Sequence, residues 1–109
     1  MPALILDGRA LAADLRLEIL ARTSALREAG IHSRLVVVFV GQNESSAAYA
    51  RNLQRTGERV GVTVEVDELS DSAPVGTVRE RLDRLRDDAS VHGVMLQQPL
   101  PPYLSIREI

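Results

Sequence analysis

The sequence contains no cysteine and no lysine, and these absences narrow the possible chemistry before any motif is considered. Without cysteine the chain can form neither a disulfide framework nor a thiolate metal site. It also lacks a run of roughly 20 apolar residues that could span a bilayer. The N-terminal stretch MPALILDGRA has no charged start followed by a long apolar segment. We therefore expect a cytoplasmic protein that does not cross a membrane.

A large charge of one sign is missing as well. The 13 basic residues, all arginine, are interspersed with 15 acidic residues and give a formal net charge of -2. This balance provides no broad basic surface for nucleic acid. Neither His32 nor His92 has a second ligand at metal-binding spacing, so we expect no metal site. A chain of 109 residues that is 45% hydrophobic and 26% charged is typical of one domain with a modest core.

The hydrophobic periodicity predicts alternating helices and strands. Residues 10–30 form an amphipathic pattern that ends at Gly30 and should bury one face, which carries Leu11, Leu15, Ile19, Leu20 and Leu26. The β-branched run 34–41 predicts a strand covered on both faces. Further along, the patterns predict a helix at 44–60, a strand at 61–69, a helix at about 75–88 with a solvated charged face, and a short buried strand at 92–98.

This order favours an α/β fold with three layers, α/β/α, and a small, mostly parallel sheet. Ligands of such sheets bind at the carboxyl ends of the strands, where the segments GQNESSAAYARN and QQPLPPYL lie. In the first segment Asn43 or Ser45 is a candidate N-cap. In the second, three prolines fix φ and form a rigid corner. This corner, beside a helix that carries Tyr49, could form the wall of a flat pocket for an aromatic ligand.

The segments GQNESSAAYARNLQRTGERVGV and HGVMLQQPLPP carry a resemblance to a known family. They are similar to the N-terminal domain of the bifunctional methylenetetrahydrofolate dehydrogenase/cyclohydrolase family, whose patterns are close to VGxxxxSxxYVxxKxKxxxxxG and DGxxVQLPLP. The opening LDGRALAADLRLEI also looks like the first helix of that family, so the match covers nearly the whole chain. The glutamine before the Pro-Leu-Pro corner is the most specific part. The implied fold is an amino-acid-dehydrogenase-like N-terminal domain.

The resemblance implies a role in folate one-carbon metabolism, with hydride transfer from 5,10-methylenetetrahydrofolate to NADP and then hydrolysis of the methenyl product. It implies that Tyr49 packs against the folate ring system and that Gln97 hydrogen-bonds near the one-carbon unit, which makes both candidates for catalytic as well as substrate-binding residues. Leu100 and Pro101 would line the pterin side. The resemblance also implies a homodimer.

The sequence departs from the family pattern at Leu53, where the pattern has its catalytic lysine, four residues after Tyr49. Leucine removes the cation, its hydrogen-bond donors and any proton transfer. We therefore expect this departure to affect the cyclohydrolase activity more than the dehydrogenase activity. Arg51 and Arg55 lie roughly 200° away around the helix and are expected to face elsewhere. A guanidinium is also a poor proton shuttle, because its pKa lies above about 12.

A second departure is that the chain contains neither a KDVDG-like segment nor a G-x-G-x-x-G turn for NADP. We therefore expect residues 1–109 to be a folate-binding domain truncated at its C-terminal end, without its NADP-binding Rossmann domain and inactive alone. A natural short paralogue is the alternative. At the C-terminus, Ser105 is expected to cap a helix that starts at Ile106.

Each residue also has a purely structural interpretation. Leu53 could be a core residue, Tyr49 a half-buried packing residue, and Gln97 a partner for main-chain groups at a strand end. A non-catalytic family member that binds folate, or nothing, is therefore the alternative function. A third hypothesis is the substrate domain of an amino-acid or shikimate-type dehydrogenase, which would not be expected to carry the Gln-Pro-Leu-Pro corner.

Overall fold

Helices and strands alternate along the chain, as the periodicity predicts. The computed structural model describes residues 3–41 and 44–109. In this part of the chain the elements are α1 (Gly8–Glu28), β1 (Arg34–Val40), α2 (Glu44–Val60), β2 (Thr63–Leu69), α3 (Val75–Asp87), β3 (Gly93–Leu96) and a 3-10 helix (Ile106–Glu108). None of the described helices combines the length and the apolar character needed to cross a membrane.

The ends of α1 form where the sequence places a cap and a stop. Asp7 caps the N-terminus, because its carboxylate accepts hydrogen bonds from two main-chain N–H groups of the first turn. At the other end Gly30 has φ of 83°, a conformation that glycine adopts without steric cost. The N–H of Ile31 then donates to the carbonyl of Leu26 at 2.9 Å, which closes the helix in a Schellman motif.

The expectation that α1 buries its apolar face is wrong for this structure. The five apolar residues expected to be buried are all at least 40% exposed. Thr23 is the buried residue of this helix, and its hydroxyl donates to the carbonyl of Val60 at 2.7 Å, which attaches α1 to the end of α2. The radius of gyration is 17.0 Å, against about 13 Å for a compact domain of this length. Periodicity shows which face of a helix is apolar, but not what covers it.

The three strands form a parallel sheet in the order β2-β1-β3. The central strand β1 is covered on both faces, as expected, and its residues from Val36 to Val40 are at most 4% exposed. On one face Val37 and Phe39 pack against Ala50 of α2, and on the other Val40 packs against Val78 of α3. The three-layer α/β/α fold is therefore confirmed.

The expectation that β3 is buried is wrong. Val94 and Met95 are each more than one third exposed. Within the described residues β3 pairs only with β1 and forms an edge of the sheet, so it receives less cover than the central strand.

Candidate functional site

Because the strands are parallel, the segments that follow them meet at one end of the sheet, the carboxyl ends of the strands. Gly41 follows β1, the loop 70–74 follows β2, and the segment 97–104 follows β3. Helix α2 begins at Glu44, so Ser45 lies inside its first turn and is not the cap, while Asn43 lies outside the described residues. Ligands of α/β sheets bind at the carboxyl ends of the strands, and Gln97, Leu100 and Pro101 lie there.

A cleft of about 310 Å³ opens at this end of the sheet. Its lining residues come from all three segments and from α2: Val40, Gly41, Ser46, Asp71, Pro99, Leu100, Pro101 and Pro102. Leu100 and Pro101 thus line a cleft, and their contact with the pterin stays a prediction. Gly41 has φ of 74°, and a Cβ there would lie 2.8 Å from the Cβ of Asp71, so only glycine lets the loop after β2 approach so closely.

The proline corner after β3 is fixed at both of its ends. The Gln98–Pro99 peptide bond is cis. At the other end the N–H of Leu104 donates to the carbonyl of Pro101 at 2.9 Å, and the Leu104 side chain is buried in the core. The expectation that Ser105 caps a helix starting at Ile106 is confirmed, because its hydroxyl accepts a hydrogen bond from the N–H of Arg107 in the 3-10 helix.

Tyr49 lies on α2, three residues after Ser46 and hence one turn away on a neighbouring part of the helix surface. Its side chain is 42% exposed, so the ring is not part of the core. Tyr49 and Gln97 are not among the residues that line the cleft, although Ser46 on the same helix is. The role of Tyr49 as a folate platform therefore stays a prediction.

Gln97 is half-buried directly after β3. Its main-chain N–H donates to the carbonyl of Val38 at 2.9 Å, which extends the pairing with β1. Its side-chain Nε2 donates to the carbonyl of Gln98 at 2.9 Å. This bond is of the kind that the structural interpretation predicts, namely a glutamine that satisfies a main-chain group at a strand end. It orients the amide and uses one of the two N–H groups of Nε2.

Leu53 is half-buried and packs against the cluster of Val37, Phe39 and Ala50. Its neighbours Arg51 and Arg55 are both exposed, as expected from the helical geometry. The side chain that takes the place of the pattern's lysine is therefore held by apolar packing.

A cluster of groups with shifted pKa values lies at the other end of the sheet, near the amino ends of the strands. The guanidinium of Arg34 donates two hydrogen bonds to the Glu65 carboxylate, at 2.6 and 2.7 Å, and this pairing lowers the pKa of Glu65. Hydrogen bonds from Ser90 lower the pKa of Asp88, which lies 3.7 Å from Arg34. His92 belongs to the same cluster, since its Nδ1 accepts the N–H of Arg34 at 3.1 Å. Among the described residues, no group of histidine and acidic side chains could hold a metal ion.

Sequence reasoning missed three residues at the site, Ser46, Asp71 and Tyr103. The tyrosine hydroxyl donates to the carbonyl of Ala73 at 2.5 Å, which joins the segment after β3 to the loop after β2. Asp71 could have been found from the sequence, because it comes two residues after a predicted strand and the same rule had identified the other two segments. The Tyr103 bond spans 30 residues and has no local signal.

Comparison with known proteins finds a family model and relatives that match nearly the whole chain. Residues 6–109 match the family model described as tetrahydrofolate dehydrogenase/cyclohydrolase, catalytic domain. The chain is 37% identical over its whole length to the bifunctional protein FolD of Moorella thermoacetica, and 38% identical over 98% of its length to that of Pelotomaculum thermopropionicum. It spans only 39% and 38%, respectively, of the lengths of these relatives.

Solved structures give the same result. The FolD methylenetetrahydrofolate dehydrogenase/cyclohydrolase of Campylobacter jejuni superposes with a TM-score of 0.86 at 31% identity, covering 92% of this chain and 36% of the other. The Trypanosoma brucei enzyme, solved with NADP cofactor and an inhibitor, superposes with a TM-score of 0.79 at 26% identity. That match covers 96% of this chain and 36% of the other.

Proposed function

Because this chain belongs to the tetrahydrofolate dehydrogenase/cyclohydrolase family, we propose that it is the folate-binding domain of a protein that oxidises 5,10-methylenetetrahydrofolate. In the second reaction of the family, water adds to the 5,10-methenyl product and the ring opens to 10-formyltetrahydrofolate. The observation that carries the proposal is the cleft at the carboxyl ends of the strands, with the proline corner as one wall.

The cleft suits one end of a flat heteroaromatic ligand. Leu100 and Pro101 offer an apolar wall, and the prolines around them leave the main chain little freedom to move. We propose that the pterin ring lies against this wall and that Tyr49 packs on the ring system from α2. Gln97 would present Oε1 or the second N–H of Nε2 near the one-carbon unit, because the main-chain bond uses only one N–H of Nε2.

Hydride transfer in this family uses NADP, and this chain does not fit that cofactor. A dinucleotide needs closely spaced glycines at a strand-to-helix turn, where main-chain N–H groups hold the pyrophosphate. The turn after β1 has Gly41 alone, and the turn after β2 has no glycine. NADP would supply the hydride acceptor from another part of the protein, while the residues of this chain orient the folate.

The hydrolytic step is the activity that Leu53 affects. Hydride transfer requires mainly orientation of two bound molecules, since the cofactor carries the chemistry. Water addition and ring opening benefit from a group that moves protons, and the half-buried leucine cannot do so. We therefore propose that the protein keeps the dehydrogenase activity and has a weak cyclohydrolase activity.

Steady-state assays on the protein that contains this domain test this proposal. The rate of NADPH formation from methylenetetrahydrofolate and the rate of loss of methenyl absorbance should be measured on one preparation. We expect saturable dehydrogenation with little acceleration of hydrolysis. Dehydrogenation and hydrolysis at comparable rates would contradict the assignment to Leu53. Absence of both, with folate still bound, would favour the alternative of a non-catalytic folate-binding protein.

Homodimer formation and a cytoplasmic location are further proposals that rest on the family alone. Light scattering on the purified protein and cell fractionation would test them. A monomer at micromolar concentration, or recovery in the membrane fraction, would contradict the respective proposal.

A further inference from the structure

Tyr103 connects the two walls of the cleft. Its hydroxyl donates to the carbonyl of Ala73 in the loop after β2, and Asp71 of the same loop lines the cleft. The opposite wall, from Pro99 to Pro102, directly precedes Tyr103 in the chain. One hydrogen bond therefore joins both walls at a point next to the cleft.

The two walls differ in how firmly the chain itself holds them. Three of the four residues from Pro99 to Pro102 are prolines, and the segment is anchored by the buried side chain of Leu104. The loop after β2 contains no proline before Pro74 and is bonded internally, by the N–H of Ala73 to the carbonyl of Ser70 at 3.0 Å. The Ala73 side chain belongs to the same buried cluster as Leu104. Residues 70–72 before Ala73 are exposed, and the Tyr103 bond attaches the end of this exposed stretch to the proline segment.

The position of Tyr103 separates this bond from ordinary core packing. The residue is 46% exposed, whereas its hydroxyl bond is partly buried. Removing the hydroxyl alone thus costs little buried apolar surface. Loss of this bond removes the polar attachment of the loop and leaves the packing of Ala73 in the core. Residues 70–72 then become more mobile, and a ligand must order them when it binds.

We propose that Tyr103 is a positioning residue that holds the loop after β2 against the proline corner and so fixes the width of the cleft for the folate ring. The proposal rests on the proposed function for the identity of the ligand. Tyr103 itself does not touch the reacting atoms. It acts through Ala73 on one wall and through the main chain on the other.

The test is Tyr103→Phe in the protein that contains this domain, with Thr23→Val as the matched control. Both changes remove one hydroxyl that donates to a main-chain carbonyl, but Thr23 lies at the junction of α1 and α2. We expect Tyr103→Phe to raise the KM for methylenetetrahydrofolate about 2- to 10-fold, the scale of one hydrogen bond, with kcat little changed. Thr23→Val should leave KM unchanged. An unchanged KM in Tyr103→Phe, or an equal rise in both variants, overturns the proposal.

Hydrogen exchange separates this result from a failure of the proposed function. If the wild-type protein neither turns over nor binds folate, the proposed function fails, and the KM comparison falls with it. The amides of residues 70–73 should still exchange faster in Tyr103→Phe than in wild type, because the loop has lost its hydrogen bond to Tyr103. Equal exchange in the two proteins would show that Tyr103 does not position this loop.

Discussion

Leu53 lies on α2 one turn after Tyr49, at the position where the related pattern has a lysine. Leu53 packs on Val37, Phe39 and Ala50, which supports the interpretation that it is a core residue. The side chain is nevertheless only half-buried. A lysine could therefore lay its methylene groups along the same apolar surface and keep its ammonium at the protein surface, as long amphipathic side chains commonly do.

This geometry leads to a prediction for Leu53→Lys. The ammonium should extend towards Tyr49, where a bound folate would desolvate it and lower its pKa towards neutrality, so that it transfers protons well. We expect hydrolysis of methenyltetrahydrofolate to rise in the protein that contains this domain. The full effect of such a group is about 10²- to 10⁴-fold, so even a poorly placed lysine should be detected by the loss of methenyl absorbance.

Asn52→Lys is the matched control, because it adds the same charge at an exposed position about 100° away around the helix. Its hydrolysis rate should equal that of wild type. A stable Leu53→Lys protein without faster hydrolysis would count against an active site at this helix face. A large fall in melting temperature without activity would instead support the core interpretation, since an unpaired buried charge is strongly destabilising.

Among the secondary-structure elements, α2 fixes the position of the site, and its distance from the sheet depends on one glycine. A Cβ at Gly57 would lie 2.6 Å from the carbonyl oxygen of Val62 and 2.5 Å from a methyl carbon of Val64. The carbonyl belongs to the main chain and cannot rotate away. Helix α2 can therefore pack directly on β2 only because position 57 has no side chain.

Gly57→Ala should destabilise the domain by about 1 to 3 kcal/mol, the usual cost of overpacking. Gly76→Ala is the control, because the same methyl group in α3 meets no atom within 4 Å. There the substitution should be neutral or stabilising by up to about 1 kcal/mol, since alanine favours helix over glycine. Urea unfolding of both variants measures the difference. Equal stabilities would mean that α2 does not approach β2 as closely as described.

Sequence reasoning recovered the elements because their signals are local. The run from Val36 to Val40 predicts a strand buried on both faces, and Gly30 predicts the end of α1. The exposure of α1, the edge position of β3 and the Tyr103 bond were not predictable in this way, since each depends on which distant segments meet. Leu100 and Pro101 line a cleft and Tyr49 and Gln97 do not, but the folate-binding roles of all four residues stay predictions.

On the scale of the whole molecule, the two ends of the parallel strands carry different groups. The cleft lies at the carboxyl ends of the strands. The charged cluster lies near their amino ends and consists of Arg34, Glu65, Asp88 and His92. Arg34 connects all three strands there, because it lies on β1, pairs with Glu65 of β2, and bonds His92 just before β3. We expect this cluster to contribute to the stability of the fold and not to the proposed chemistry.

The charged cluster predicts a pH dependence of stability. Glu65 has a folded-state pKa below its ordinary value of 4.5, so the folded protein binds fewer protons near that pH than the unfolded chain. Its contribution to stability is therefore present above 4.5 and is lost as the pH falls through the lower, folded value. In Glu65→Gln the melting temperature should decline less steeply from pH 5 to pH 3 than in wild type.

Arg34→Gln should have the same effect, because Arg34 is the main cause of the shift. The double variant should lose no more acid sensitivity than either single one, since the two residues act through one interaction. Calorimetric melting across the pH range measures all four proteins. A wild-type slope in both single variants would show that this pair does not set the acid response.

Calorimetric titration with 5-formyltetrahydrofolate, a stable reduced folate, tests most directly whether the cleft is a folate site. The account predicts saturable binding to the wild-type protein. Tyr49→Ala and Gln97→Ala should each weaken binding by about 0.5 to 1.5 kcal/mol, or roughly 2- to 12-fold. Arg51→Ala, which changes an exposed neighbour on the same helix, should bind as wild type does. No binding to wild type, or equal affinities in all four proteins, would contradict the account.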